Sequence, residues 1–314
     1  MKRNIENPSK ESKIRPRKHL GQNFLIDHGI LGIIADAAGL TKDDVVLEIG
    51  AGTGTLTETL SQEACHVIAV EIDERLVSML RGKFSQYPNV EVVKGDFLQL
   101  NLTELTASST LISEKSKVVA NLPYYITTPI ILRLFSYAEL FERLVVLVQK
   151  EVAERIVAAP GSKRYGAFSV VAQYHSDPEI IAVVPPEAFW PQPKVDSAVV
   201  RMLIRETPRV STLDEGMFFA VVRGSFGKRR KTILRALAMA GKTYPELASV
   251  KEDDLKRILA EIGVDSKRRA ETISLEEFGH IADAILLERG DLSQGEEHDI
   301  YKPFKGQNEF RRNL

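Results

Sequence analysis

Between Val45 and about Lys150, short runs of β-branched and apolar residues alternate with stretches whose apolar positions recur at helical spacing. That alternation is the pattern of parallel strands joined by crossover helices. It predicts strands at residues 45–49, 66–71, 90–94, 117–120 and 144–148, with helices beginning near Thr53, Glu74, Thr128 and Lys150. Two more β-like runs, at 168–174 and 180–184, precede a third at 195–204 and read as an antiparallel edge added to the parallel sheet. The expected fold class is α/β: a doubly wound, mainly parallel, seven-stranded Rossmann-like sheet.

After Pro208 the β-branched alternation stops and helical periodicity takes over at 217–226, 228–239, 252–262 and 274–287, which predicts a small C-terminal α-helical domain. The stretch from Gly290 onward is polar and aperiodic, and is expected to be a mobile tail. The expected division is a flexible basic arm at 1–16, the α/β domain at 17–207, the helical domain at 208–289 and the tail at 290–314.

Length and composition are compatible with this plan. A chain of 314 residues with 44% hydrophobic and 27% charged residues can bury one large core and a smaller second one. No window holds the roughly 18 consecutive apolar residues that a membrane helix needs. The charged N-terminus has no apolar stretch behind it, so a signal peptide is not expected and a cytoplasmic location is. The single cysteine, Cys65, excludes an intrachain disulfide and is read as a packing residue. The six histidines lie scattered, without metal-ligand spacing, so no metal is expected.

A net charge of −1 does not by itself suggest a nucleic-acid partner. The distribution of charge does. Positive residues concentrate between Lys2 and Lys18, between Arg223 and Arg235, and from Lys267 to Arg269, while acids gather at Glu296, Glu297 and Asp299.

The first predicted strand runs into Gly50-Ala51-Gly52-Thr53-Gly54 and then a helix, so the backbone can turn tightly and approach a ligand at the strand's carboxyl end. The second ends at Glu71, a carboxylate able to accept hydrogen bonds from ribose hydroxyls. The third ends in Gly95-Asp96-Phe97, where an acid could accept from the adenine amine of a cofactor or could simply cap a turn. The GxGxG spacing, rather than GxGxxG, argues against a nicotinamide cofactor.

The fourth strand ends in Asn121-Leu122-Pro123-Tyr124-Tyr125. Adenine N6 is a poor nucleophile because its lone pair is delocalised into the ring, and acceptors placed around its two protons would draw the pair back. The Asn121 side-chain carbonyl and the Leu122 backbone carbonyl can be those acceptors, Pro123 fixes the turn and Tyr124 offers a ring for stacking. Phe189, in the proline-rigid stretch Phe189-Trp190-Pro191-Gln192-Pro193, could cover the other face of the base or could be a buried loop aromatic.

With these pieces assembled, the chain resembles the KsgA/RsmA family of ribosomal RNA adenine dimethyltransferases from about Arg17 to about Leu287. The likeness is carried by Lys18-His19-Leu20-Gly21-Gln22-Asn23-Phe24-Leu25, by the glycine loop and by the Asn121 motif. It extends to the stretch from Pro193 through Val200, to Phe226-Gly227-Lys228-Arg229-Arg230-Lys231-Thr232, and to Arg268-Arg269-Ala270-Glu271-Thr272-Ile273-Ser274.

The resemblance implies that S-adenosylmethionine is the cofactor, lined by Asn23, Leu25, Gly50, Glu71, Asp96 and Asn121, with Gly52 in the same loop. It implies that the segment from Gln22 to Leu25 folds over that cofactor and that Asn121, Tyr124 and Phe189 hold the target base. Two adjacent adenines in a hairpin near the 3′ end of small-subunit (16S) rRNA would each receive two methyl groups. The expected partner is the small ribosomal subunit, met by a monomeric chain. Its rRNA phosphates would be contacted by Arg223, Lys228, Arg229, Arg230, Lys231 and Arg235, while Ile233 and Leu237 face the core. A large-subunit rRNA methyltransferase and a non-catalytic assembly factor stay open as alternatives.

Overall fold

The computed structural model describes residues 15–17, 20–107, 115–228 and 230–290. Nearly all of the expected arm and tail, together with Lys18, His19 and Arg229, lies outside these described residues. The chain divides into two compact units, one formed by residues up to 157 with 175–207, the other by 158–174 with residues from 208 onward.

In chain order the first unit contains β1 (Phe24–Leu25), α1 (His28–Ala38), β2 (Val45–Ile49), α2 (Thr55–Glu63), β3 (His66–Glu71), α3 (Glu74–Lys83), β4 (Val90–Lys94) and α4 (Leu102–Ala107). It continues with β5 (Ser116–Asn121), α5 (Thr127–Phe135), β6 (Phe141–Gln149), α6 (Lys150–Ile156), β7 (Ser176–Val184), β8 (Phe189–Trp190) and β9 (Ser197–Ile204). Seven strands form one sheet in the order β4-β3-β2-β5-β6-β9-β7. Neighbours from β4 to β6 pair in parallel, whereas β9 runs antiparallel to both β6 and β7. The mainly parallel, doubly wound sheet expected from the sequence is therefore present.

Burial explains why the central strands read as unbroken apolar runs. β2 is buried at all five positions, as a parallel strand flanked by strands and covered on both faces must be. β4, at the sheet edge, has no fully buried residue. From β2 the chain winds outward through β3 and β4, then returns to place β5 on the other side of β2. That reversal between β2 and β5 is a topological switch point, where the carboxyl ends of an open α/β sheet leave a crevice.

The second unit contains α7 (Ala167–His175, whose last residue falls in the first unit), α8 (Glu215–Phe226), α9 (Ile233–Ala240), α10 (Glu252–Glu261) and α11 (Leu275–Arg289). Its core gathers Phe218, Leu237, Ile258, Phe278 and Ile281, all nearly inaccessible. α11 opens with a reciprocal cap: the Glu277 amide donates to the Ser274 hydroxyl, and the Glu277 carboxylate accepts from the Ser274 amide.

Two expectations need correction. Residues 168–174 form a helix rather than a strand and group with the helical unit. Val170, Ala172 and Tyr174 are buried while Val171 and Gln173 are half-exposed, so a helix enclosed on most sides mimics the two-residue alternation of a strand. The helix expected at 228–239 begins only at Ile233, because Thr232 is extended and its hydroxyl accepts from the Arg235 amide as an N-cap.

Among the described residues no helix is long and apolar enough to cross a membrane, and no group of three or more His, Cys, Asp or Glu is placed to hold a metal ion.

Candidate active site

Four successive strand ends converge on one cleft of about 970 Å³, its open mouth included, lined among others by Gly50, Glu71, Asp96, Asn121 and Tyr124. After β2 the backbone turns through positive φ at Gly50, Gly52 and Gly54. At Gly52 a side chain is doubly disfavoured: φ is +59° and a Cβ would lie 3.2 Å from the Phe24 ring. The Gly52 amide donates to Glu71 Oε2 at 2.9 Å, tying the loop to the end of β3.

Glu71 is almost wholly buried, and its other oxygen accepts from the amides of Ile72 and Asp73, both at 2.9 Å. Burial pushes its carboxyl above the usual range, and the three amide donors oppose that shift. Asp96, after β4, accepts from the Leu98 amide at 3.0 Å and from Gln99 Nε2 at 2.9 Å. The turn-capping and cleft-lining readings of this acid thus hold together, since one carboxylate does both.

The segment from Leu20 to Leu25 closes one side of the cleft. Its anchor is Asp73, whose side chain is inaccessible and meets Arg75 at 2.6 Å and Arg17 at 3.6 Å. Gln22 donates to the same carboxylate at 3.2 Å and accepts from the Arg17 amide at 2.7 Å. The Arg75 guanidinium, helped by Gln22, holds the Asp73 carboxyl down at about 2 against the opposing effect of burial. Beyond Gln22, Asn23 and Leu25 line the cleft, and β1 pairs antiparallel with β8, with Phe24 opposite Trp190 and Leu25 opposite Phe189.

On the β5 side, Asn121 Nδ2 donates to the Asn23 backbone carbonyl at 3.0 Å. That bond fixes the amide plane and leaves Oδ1 with no donor among the described residues. Leu122 is buried, and its amide donates to the Leu147 carbonyl of β6. The Pro123 carbonyl accepts from the Thr127 hydroxyl, which holds the turn that presents Tyr124 to the cleft. The Tyr124 hydroxyl lies 2.6 Å from Ser197 Oγ, and burial raises its pKa.

Phe189 departs from the expected arrangement. It is 1% exposed, packs in the first unit's core with Leu25, Val145 and Val199, and does not line the cleft. Pairing of β8 with β1 draws the ring inward, so the buried-aromatic alternative is the one realised.

In the helical unit Lys228, Arg230 and Lys231 are exposed. Arg235 is engaged by Glu252 at 2.8 Å. Arg223 is half-buried over the Tyr244 ring, with its centroid 5.5 Å from the guanidinium carbon, and burial lowers its pKa. Ile233 and Leu237 are in the core, as expected.

Residue-by-residue reading of the sequence missed Asp73, Ser197 and Glu48. A strand as apolar as Val45-Val46-Leu47-Glu48-Ile49 carries its own signal, because a single acid inside it must be buried. Arg75 is a near neighbour of Asp73, but its other partners Gln22 and Arg17, like the Tyr124 partner of Ser197, lie more than fifty residues away and leave no local trace.

A doubly wound sheet with a glycine loop at its switch point, followed by acids at the next two strand ends, defines an S-adenosylmethionine-dependent methyltransferase. The cleft suits that cofactor: Gly50 and Gly52 place no Cβ in it, and buried Glu48 Oε2 beneath the loop has no hydrogen-bond partner among the described residues. The chain matches the ribosomal RNA adenine dimethylase family over residues 13–280 and belongs to it.

Among its relatives, the ribosomal RNA small subunit methyltransferase A of Alkaliphilus oremlandii is 42% identical over 287 residues, covering 90% of this chain and 98% of that protein. The protein of the same name from Shouchella clausii is 45% identical over 271 residues, covering 86% and 89%. A dimethyladenosine transferase from Plasmodium falciparum is 27% identical with a TM-score of 0.67, covering 85% of this chain and 97% of that one. The 23S rRNA methyltransferase ErmE is also 27% identical, with a TM-score of 0.62, covering 84% and 99%. The chain is an enzyme that transfers methyl groups from S-adenosylmethionine.

Proposed function

We propose that this enzyme dimethylates N6 of two adjacent adenines in a hairpin near the 3′ end of small-subunit (16S) rRNA, and so takes part in small-subunit biogenesis. The observation that carries the reading is Asn121: its amide nitrogen is committed to Asn23, so its Oδ1 is the atom left to accept from a base amine.

S-adenosylmethionine supplies an electrophilic methyl group. Gly50, Gly52, Glu71, Asp96, Asn23 and Leu25 would hold it, with the two acids accepting hydrogen bonds from its ribose and adenine. Asn121 Oδ1 and the Leu122 carbonyl accept hydrogen bonds from the N6 amine, which keeps its protons while the lone pair is localised, and Tyr124 stacks on the base. No side chain need act as a strong base, because the alkylated ammonium is acidic enough to lose its proton to water. Positioning and electrostatics then supply the catalysis.

The small-subunit substrate is favoured over the large-subunit one by identity: 42% and 45% to relatives named for the small subunit, against 27% to ErmE. The exposed cations Lys228, Arg230 and Lys231 would meet rRNA phosphates, together with Arg223, Arg235 and Arg229, the last outside the described residues. On this reading residues 208–289, joined by 158–174, are the RNA-binding domain, and the rest of 17–207 is the methyltransferase domain. The enzyme works as a cytoplasmic monomer, with the small ribosomal subunit as partner and no membrane.

Unmodified small and large subunits, offered separately with methyl-labelled cofactor, test the assignment. Label confined to the small subunit, at two neighbouring adenines located by primer-extension stops, supports it. Label on the large subunit alone overturns it.

A further inference from the structure

Two tyrosines follow one another after Pro123, and the mechanism uses only the first. Tyr124, Tyr125 and Ile126 form a single 3-10 turn, in which side chains one residue apart point about 120° apart around the axis. Tyr124 is directed to the interior, where its hydroxyl meets Ser197 Oγ. Tyr125 also lines the cleft but leaves 52% of its surface open, so its ring stands at the rim.

The rim is shaped to receive that ring. Gly21, in the segment that lines one side of the cleft, turns through a φ of +59°, and a Cβ there would lie 3.2 Å from Tyr125 Cδ1 and 3.7 Å from Cε1. Glycine thus lets one edge of the ring settle against backbone, which limits its freedom while much of the ring stays accessible. A side chain kept only to hold Gly21 down would be covered in doing so, and a branched aliphatic chain would serve equally. A flat apolar face left open beside a base-accepting cleft suits a second base. RNA bases drawn out of a helix are held by stacking on aromatic side chains, and every base offers a π-face. When one nucleotide enters the cleft against Tyr124, its strand crosses the rim, and the next nucleotide lies there with part of its own stacking lost.

We propose that Tyr125 is a second base platform, outside the cleft, that stacks the nucleotide adjacent to the one being methylated. The proposal rests on the reading of the cleft as an adenine N6 site and deepens it: with two neighbouring adenines as substrate, Tyr125 holds one while Tyr124 holds the other. Tyr125 is then a specificity-determining residue. It favours a purine neighbour, whose larger ring system covers more of the tyrosine than a pyrimidine does, and its contribution falls on RNA rather than on cofactor affinity.

Methylation by the full chain of unmodified small subunits, carrying either both adenines or uridine in place of one, tests this with Tyr125→Phe, Tyr125→Leu and Tyr125→Ala. For the wild-type chain, uridine beside the remaining adenine should lower kcat/KM about fivefold or more. Tyr125→Phe keeps the flat face and should keep this preference. Tyr125→Leu keeps an apolar chain over Gly21 but no flat face. Like Tyr125→Ala, it should lose about tenfold on the two-adenine substrate and show little further loss with uridine, because ring and neighbouring base act as a pair. Cofactor affinity, measured by calorimetry, should match wild type in all three. Wild-type kcat/KM in Tyr125→Ala or Tyr125→Leu overturns the proposal. So does a uridine effect that persists undiminished in either variant, since it detaches the ring from the neighbouring base. A loss that resides in cofactor affinity also overturns it, by assigning Tyr125 to the hold on Gly21. Should Tyr125→Ala fail to fold, Tyr125→Leu carries the same comparison. If the wild-type chain binds cofactor and subunits but methylates neither substrate, the adenine reading itself fails, and the proposal with it.

Discussion

Asn121 and Asn23 stand 98 residues apart in the chain and meet through a 3.0 Å hydrogen bond from the side-chain amide of the first to the backbone carbonyl of the second. The bond joins the end of β5 to the segment that lines one side of the cleft, so the orientation of the Asn121 amide depends on that segment being in place.

Replacing Asn121 by alanine removes an acceptor that acts where charge develops, so single-turnover methylation should fall by about 10²–10³-fold. Binding of the RNA, measured by gel shift, should change by less than about threefold. Undiminished turnover in this variant would sink the role assigned to Asn121.

At Tyr124 the ring and the hydroxyl can be separated. Tyr124→Phe loses the 2.6 Å contact with Ser197, worth about 0.5–1.5 kcal/mol, and should keep activity within about tenfold. Tyr124→Ala loses the stacking face, and kcat/KM for RNA should drop about 30-fold or more. If the two variants are equally impaired, the hydroxyl rather than the ring is the functional part.

Phe189 is a core residue in this structure, so Phe189→Ala should cost about 3–5 kcal/mol of stability by chemical unfolding. Phe189→Leu preserves most of the volume and should retain both stability and turnover. A Leu variant of full stability but greatly reduced turnover would restore the base-stacking role expected from the sequence.

Asp73→Asn keeps the shape and the α3 cap but discharges the anchor for Arg17, Arg75 and Gln22, and should weaken cofactor binding about tenfold with little change in kcat at saturation. The pH dependence has a definite sign. A carboxyl held at about 2 when folded and near 4 when unfolded stabilises the fold at every pH above about 4. That contribution is lost as pH falls from about 4 to about 2. Acid unfolding of the variant should lack this component; an unchanged acid transition would show that the anchor contributes nothing.

Much of this was legible in the sequence because parallel strands, buried on both faces, advertise themselves as apolar runs, and their carboxyl ends coincide with Gly50, Glu71, Asp96 and Asn121. The helix at 167–175 was not, since near-complete burial erased its polar stripe. Thr232 was a readable start signal that the basic run before it obscured. Phe189 was ambiguous for a physical reason: an aromatic between a short 3-10 turn and a proline can face a ligand or the core, and only its pairing with Leu25 decides. Asp73 meets Arg75 locally, but its contacts with Gln22 and Arg17 are brought together by folding, which no local pattern encodes.

The central claim is dimethylation of small-subunit adenine, and nucleoside mass spectrometry tests it most directly. Small ribosomal subunits lacking the modification are incubated with the purified enzyme and methyl-labelled cofactor, then digested to nucleosides. The account predicts labelled N6,N6-dimethyladenosine approaching two residues per subunit, abolished by Asn121→Ala. Absence of that nucleoside, while cofactor and subunit binding are both intact, would contradict it and leave the chain a ribosome-binding factor without this chemistry.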